Sequence, residues 1–253
     1  MDASLYEMIF KRRSFHLFRN AGDAKISEAE LAGIPDAWSG FSPLHPEIRT
    51  GIRIVPGEET TCRRGQEYSI LLYSENKEGY LQNIGYLGEQ LDLYLVSQSI
   101  GTLWFGIGKT EETSYDGMDF VIMIAIRKVQ DSSLFRRDMF KSKRKTADEI
   151  WQGETLEGVT DIVRFAPSAC NTQPWYVEND RKSLRVFRYK KPGKRGIVPA
   201  EKISYYNCID IGIFLCFLEL CLQHREIRFQ RQTLVEENSN EEKKLNAIYI
   251  ICR

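Results

Sequence analysis

Eleven consecutive residues, Phe165-Ala166-Pro167-Ser168-Ala169-Cys170-Asn171-Thr172-Gln173-Pro174-Trp175, place two prolines, a Ser, an Asn and a Gln between a run with helical spacing and a strand-like one. A helix interior disfavours Pro, so Pro167 forces a break after Ala166 and leaves Ser168 free to cap the next turn. Asn171 and Gln173 each carry a donor and an acceptor, a set that suits the edge of a planar heterocycle better than a phosphate. Pro174 biases Gln173 toward extended backbone entering the next strand. The same residues would also serve as a connector whose polar groups cap helix ends.

Two further stretches carry chemical potential. In Lys11-Arg12-Arg13-Ser14-Phe15-His16-Leu17-Phe18, two guanidinium forks and a hydroxyl match the oxygens of a phosphate, although a solvated basic turn has the same composition. In Gly101-Thr102-Leu103-Trp104-Phe105-Gly106-Ile107-Gly108, three glycines beside two aromatics let backbone N–H groups approach a ligand closely. A helix C-cap would account for Gly101 alone. The chain has no G-x-G-x-x-G after a strand, no P-loop and no G-x-S-x-G. His16, His45 and His224 are far apart, with no Cys or carboxylate at ligand spacing, so no zinc site is expected.

The elements that must position these residues are those of an ordinary globular chain. Its 253 residues suffice for one large domain or two small ones. Lys+Arg and Asp+Glu are both 35, so no overall charge draws it to nucleic acid or an anionic membrane. The six cysteines form no C-x-x-C pair, which points to reduced thiols and a cytoplasmic setting. The N-terminus lacks the apolar core of a signal peptide, and the apolar run Ile211–Leu222 is too short to span a bilayer.

Apolar spacing predicts a short helix over 2–11 and a capping box at Ser27 and Glu30. A loop follows over 39–46, then strands at "GIRIVP" and "YSILLYS". A helix follows over 83–100, and the continuous apolar run "FVIMIAIRK" reads as a strand covered on both faces. A basic connector and a new helix lead to the strand "SLRVFRY", a helix apolar nearly all round, and a last strand "NAIYIICR". Segments 83–105 and 207–229, each 23 residues long, repeat at an offset of 124, with Gly88 matching Gly212 and Leu91 matching Leu215. The expected organisation is one compact α+β unit made of two related halves, 1–145 and 146–253.

Taken together, the three stretches resemble the nitroreductase family of flavoproteins. Arg12-Arg13-Ser14-Phe15-His16-Leu17-Phe18 is similar to the family's N-terminal arm, Arg-Arg-Ser-x-Arg/Lys-x-Phe. Ala166 to Trp175 matches its Ala-Pro-Ser-x-x-Asn-x-Gln-Pro-Trp loop at every named position. Ile100 to Gly106 resembles its glycine segment, and Lys143-Arg144-Lys145 before Asp148-Glu149-Ile150 resembles its basic run. The resemblance implies a nitroreductase-like α+β fold and FMN bound between two subunits. About 150 residues separate arm from loop here, which implies a fused pseudo-dimer, an internal duplication in which each half keeps part of the motifs. The first half has only Ser39 to Pro46 at the loop position. The second has Ile150 to Glu154 at the arm position, where Glu154 would repel a phosphate.

One FMN per chain is therefore expected. By resemblance, Arg12 and Ser14 hold phosphate and ribityl groups, with Arg144 and Lys143 closing on the phosphate and Arg13 adjoining. Pro167, Ser168, Ala169, Asn171 and Gln173 line the ring. Phe105, Gly106 and Ile107 bring backbone toward flavin N5. His16 stands where the family often has Lys or Arg, and a histidine supplies positive charge only when protonated, which implies a lower or more pH-sensitive flavin potential. Trp104, Phe105 and Trp175 are candidates to shape an acceptor pocket. The implied activity is that of an FMN-dependent NAD(P)H oxidoreductase, a ping-pong enzyme reducing a nitroaromatic, a quinone or a similar small electron-poor acceptor. The protein would act as a monomer, without nucleic acid or membrane partners. The alternative is a flavin-binding or storage protein with little turnover.

Overall fold

The computed structural model describes residues 1–190, 199–234 and 242–252. Its contacts divide the chain into two units, Met1–Tyr80 with Leu87–Met139 and Leu81–Tyr86 with Phe140–Arg253. Residues 140–145, expected with the first half, thus belong to the second unit, and so do the opening turns of the helix that begins at Tyr80.

In the first unit, α1 (Tyr6–Lys11) leads into the arm, and α2 (Glu28–Gly40) opens on the expected capping box. There Ser27 Oγ accepts from the Glu30 N–H while the Glu30 carboxylate accepts from the Ser27 N–H. The helix runs to Gly40, so the loop expected from Ser39 starts later. Strands β1 (Thr50–Pro56) and β2 (Tyr68–Ser74) precede α3 (Tyr80–Ser97). Strands β3 (Ile100–Phe105), β4 (Ser114–Tyr115) and β5 (Met118–Lys128) follow. All pairs are antiparallel in the order β1-β2-β5-β3, with β4 on β5. Every residue of β5 from Val121 to Ile126 is buried, as its continuous apolar run requires.

The glycine segment is largely this third strand, which spacing alone did not reveal. Gly101 is not the C-cap of α3: the helix ends at Ser97, and Ser99 takes the left-handed turn at φ 57°. Gly101 instead lies inside β3, where a Cβ would meet the Phe15 ring at 3.0 Å and Val129 at 2.8 Å. Close approach, not capping, selects glycine there.

The second unit carries α4 (Ala147–Ile150), β6 (Trp151–Gly153), α5 (Thr160–Val163), β7 (Trp175–Asn179) and β8 (Ser183–Tyr189). Helix α6 (Ile203–His224), β9 (Arg228–Thr233) and β10 (Lys243–Cys252) complete it. The sheet order is β6-β7-β8-β10-β9, with only β6 and β7 parallel. Arg253, at the end of the expected last strand, lies outside the described residues.

Helix α6 is buried from Tyr206 to Leu222. The helical segment Ala200–His224 is long and apolar enough to cross a membrane, contrary to the reading of its shorter apolar run, but 94% of its apolar window is buried within the protein. Core packing accounts for that composition. Within this unit the opening turns of α3 cross α6 backbone to backbone. A Cβ on Gly85 would stand 2.0 Å from Ile209 O, and one on Gly212 would stand 2.0 Å from Gln82 O.

Candidate functional site

In the first unit, Phe15 N donates to Thr102 O at 2.9 Å and Ser14 bridges Thr102 in parallel, so the arm is zipped onto β3 beside the glycine segment. Two of the expected stretches, far apart in sequence, are thereby brought together. Ser14 is half-buried, while Arg13 and His16 are exposed. Arg13 places Nη1 on Leu134 O at 2.8 Å and its guanidinium over the Phe15 ring. Phe105 and Gly106 are half-buried and Ile107 is exposed.

Arg12 departs from the expectation. It is 4% exposed, with Nε and Nη2 each 2.9 Å from Asp92 Oδ2. The Thr102 hydroxyl at 2.5 Å and Trp104 Nε1 at 2.9 Å also donate to Asp92. The expected phosphate-binding guanidinium is instead held by acids inside the unit, and Trp104 is tied into the same network. Glu89 lies next to this pair, with Oε1 3.9 Å from Arg12 Nε, and neither of its carboxyl oxygens has a hydrogen-bond partner. Burial, and then repulsion from Asp92, push the Glu89 carboxyl well above the usual carboxylate range.

One cation that composition did not single out belongs with this group. The half-buried Arg136, whose N–H donates to Lys11 O at 2.9 Å, is lowered to about 10 by burial and by the positive charge of Arg12 and Arg13. Crowded like charges of this kind favour an incoming anion. Its sequence signal lies in the basic connector, N-terminal to Lys143 and Arg144.

The second unit carries the Ala-Pro-Ser loop, and its backbone is unusual. Cys170, Asn171 and Gln173 all take positive φ, at 50°, 56° and 48°. Asn tolerates this region, but for Cys and Gln it costs roughly 1–3 kcal/mol each. Several bonds hold the loop in place. Ser168 does not cap the following turn with its side chain; its Oγ accepts from Gln173 N at 3.0 Å. Ala169 N donates to Asp210 Oδ1 at 3.0 Å and Oδ2 at 3.2 Å. Asn171 Nδ2 donates to Lys143 O at 3.2 Å, which joins the basic run to the loop.

Gln173 is buried with both ends of its amide committed, Oε1 to Lys145 N at 2.8 Å and Nε2 to Asn171 O at 3.3 Å. It staples the loop instead of presenting an edge to a ring. Trp175 is fully buried and stacked on Phe214 at 4.9 Å, a core role instead of a pocket wall. Pro167 is buried, Ser168 and Ala169 are half-buried, and Asn171 is exposed; Lys143 is exposed and Arg144 half-buried. Beneath the loop, burial pushes the Asp210 carboxyl up to about 8, against the opposing hydrogen bond from Ala169. Asp210 was detectable as a lone acid in the first turns of an apolar helix.

At the position of a second arm, Gln152 and Gly153 form strand β6 and Glu154 is paired with Arg181 at 3.0 Å. Gly153, at φ 91°, has no room for a Cβ, which would lie 2.0 Å from Asn179 O.

An arm zipped to a glycine strand, and a strained Ala-Pro-Ser loop anchored on a buried acid, define a nitroreductase-type α+β protein. Residues 4–222 match the family described as "Putative TM nitroreductase", and the chain belongs to that family. It is similar in fold to a protein from Thermotoga maritima described as a "putative nitroreductase", at 17% identity and a TM-score of 0.62 over 98% of this chain and 93% of that one. A Desulfovibrio desulfuricans protein described as a "putative nitroreductase in complex with fmn" matches 62% of this chain and all of its own, at 14% identity and a TM-score of 0.45. No curated protein matches by sequence.

Proposed function

We propose that the chain is an FMN-dependent NAD(P)H oxidoreductase of nitroreductase type, a single-chain pseudo-dimer with one FMN per chain. The observation that carries this reading is the Ala166–Trp175 loop, whose family residues are all present and whose backbone is held in three left-handed conformations. A connector has no use for such strain, whereas a ring-binding loop does. The equivalence of Gly85 and Ile209 at the repeat offset of 124, at the point where α3 meets α6, supports the duplication.

The residues fit FMN. Arg13, Arg136 and the Ser14 hydroxyl offer a phosphate the donors it needs, and Arg136 gains most because its neighbours already disfavour its charge. Arg12 acts from inside, fixing the arm on Asp92. In the second unit Pro167, Ser168, Ala169 and Asn171 would line a ring, and in the first Gly106 and Ile107 would offer it backbone groups. Lys143 and Arg144 add positive charge beside the loop. Bound flavin supplies hydride acceptance and donation at N5, so no side chain need act as acid or base. With FMN bound, the exposed His16 would supply the charge that the family's Lys or Arg provides, and His16→Lys is expected to raise the flavin potential.

The test is an absorbance spectrum of natively purified protein, with released flavin counted against chains, followed by stopped-flow mixing with NADH and NADPH. Close to one FMN per chain with rapid bleaching supports the enzyme. A ratio near two shows that the second arm position also binds, and a colourless protein that takes up no FMN removes the reading. The placement of Arg12 on Asp92 and the His16 substitution favour one second reading, a flavin-binding protein with little turnover. Bound flavin that neither donor reduces would establish it.

A further inference from the structure

A groove of 540 Å³ opens on the first unit at the end of the arm, where segment 17–23 faces segment 63–65. Four arginines line it, Arg19, Arg63, Arg64 and Arg127, against one carboxylate, Asp23. Among the described residues none of the four forms an ion pair. Arg12, Arg49 and Arg53 of the same unit each meet a carboxylate.

The walls are set in advance. Phe18 N donates to Arg64 O at 2.9 Å, joining one side to the other. Arg127 reaches across the floor, with Nη1 on Gly65 O at 2.9 Å and Nη2 on Gly22 O at 3.1 Å, and its buried Nε has no partner. Arg63 is held by the carbonyls of Thr60 and Cys62, and Arg64 lies over the Phe105 ring. Asn20, Gly22 and Gly65 take positive φ, turning the backbone around the cavity. For Gly22 the shape is obligatory, since a Cβ would come 2.7 Å from Gln130 Oε1. Carbonyl-held guanidinium groups are oriented but not neutralised.

We propose that this groove binds an organic diphosphate. Four guanidinium charges less one carboxylate leave three unbalanced positive charges, which a single phosphate underfills and a diphosphate matches. The volume exceeds what a bare diphosphate occupies and lies in the range of small-molecule sites. Leu17, 40% exposed at its rim, offers an apolar surface to the organic part.

The test is calorimetric titration of the full-length protein, saturated with FMN, using ADP and inorganic phosphate as probes at low salt. ADP is expected to bind one per chain, at least tenfold more tightly than phosphate and more weakly as salt rises. The exposed pair of substitutions Arg19→Ala and Arg64→Ala is expected to weaken ADP at least tenfold without changing the melting temperature. Absence of ADP binding overturns the proposal, as does phosphate binding as tightly as ADP. Undiminished affinity in the double variant, or competition by FMN, also overturns it, because either places the anion elsewhere.

Discussion

Glu219 and Glu89 are both buried glutamates on central helices, and their surroundings are opposite. Glu219, on α6, has every oxygen satisfied: Oε2 accepts from the Tyr86 hydroxyl at 2.7 Å, and Oε1 accepts from the Tyr249 hydroxyl and Arg231 Nη1, both at 2.8 Å. The Glu89 carboxyl, on α3, has no hydrogen-bond partner among the described residues, and the cation beside it already serves Asp92. The first arrangement is a closed network that locks a fold. In the second, two carboxylates share one guanidinium, so one of them is driven to keep its proton. Both lie inside the protein, yet only the open one adjoins the arm expected to hold a cofactor.

The largest effects come from breaking either arrangement. Glu219→Ala leaves two phenols and a guanidinium inside the second unit without their acceptor, and a loss of about 3–5 kcal/mol is expected in urea unfolding. Arg12→Ala removes the cation beside two carboxylates and is expected to cost a similar about 3–5 kcal/mol at neutral pH. The two differ in rescue: adding Asp92→Asn to Arg12→Ala recovers part of the loss, because it removes a charge that has become uncompensated. A double variant no more stable than Arg12→Ala would show that packing of the arginine stem, not charge, holds the arm.

Asp210 gives the next effect and sharpens the contrast with Glu219, since its main partner is a backbone N–H instead of a guanidinium. Its carboxyl is raised to about 8 in the folded protein, against about 3.9 in an unfolded chain. A raised carboxyl contributes stability fully below the unfolded value, and that contribution is lost as pH rises toward the folded one. The slope is at most about 1.4 kcal/mol per pH unit between roughly pH 4 and 8. Asp210→Asn is expected to flatten the fall in melting temperature between pH 5 and 8 by about 5 °C or more. Parallel melting curves for parent and variant would show that Asp210 is ionised throughout.

How much of this was legible beforehand follows from what each residue depends on. Local signals are legible: the Ser27–Glu30 cap, the helical stripe of α3 and the apolar runs of β2 and β5 are decided by neighbours in sequence. The Ala-Pro-Ser loop was legible by composition, but its left-handed backbone was not, because Cys170 and Gln173 adopt it only under the long-range hold of Asp210 and Lys145. The same limit hid Arg12. Its type suits a phosphate, and only the fold places Asp92, 80 residues away, against it. Strand β3 was concealed by its glycine, which is chosen for contact with Phe15 and reads locally as a cap.

The smallest effect decides whether the opening contrast is one of charge or only of contacts. If Glu89 keeps its proton, Glu89→Gln replaces one neutral group by another of the same shape, and stability at pH 5 is expected to change by less than about 1 kcal/mol. The sign at higher pH follows from its raised carboxyl. The parent loses stability as pH climbs above the unfolded value near 4.3, while the variant does not, so Glu89→Gln should become the more stable of the two by pH 8. Paired unfolding curves at pH 5 and pH 8 measure both quantities. A loss of several kcal/mol at pH 5 would mean that Glu89 is ionised and that Arg12 serves both carboxylates. The open arrangement would then be a closed one like that of Glu219, and the arm would be locked by the same device as the core of the second unit.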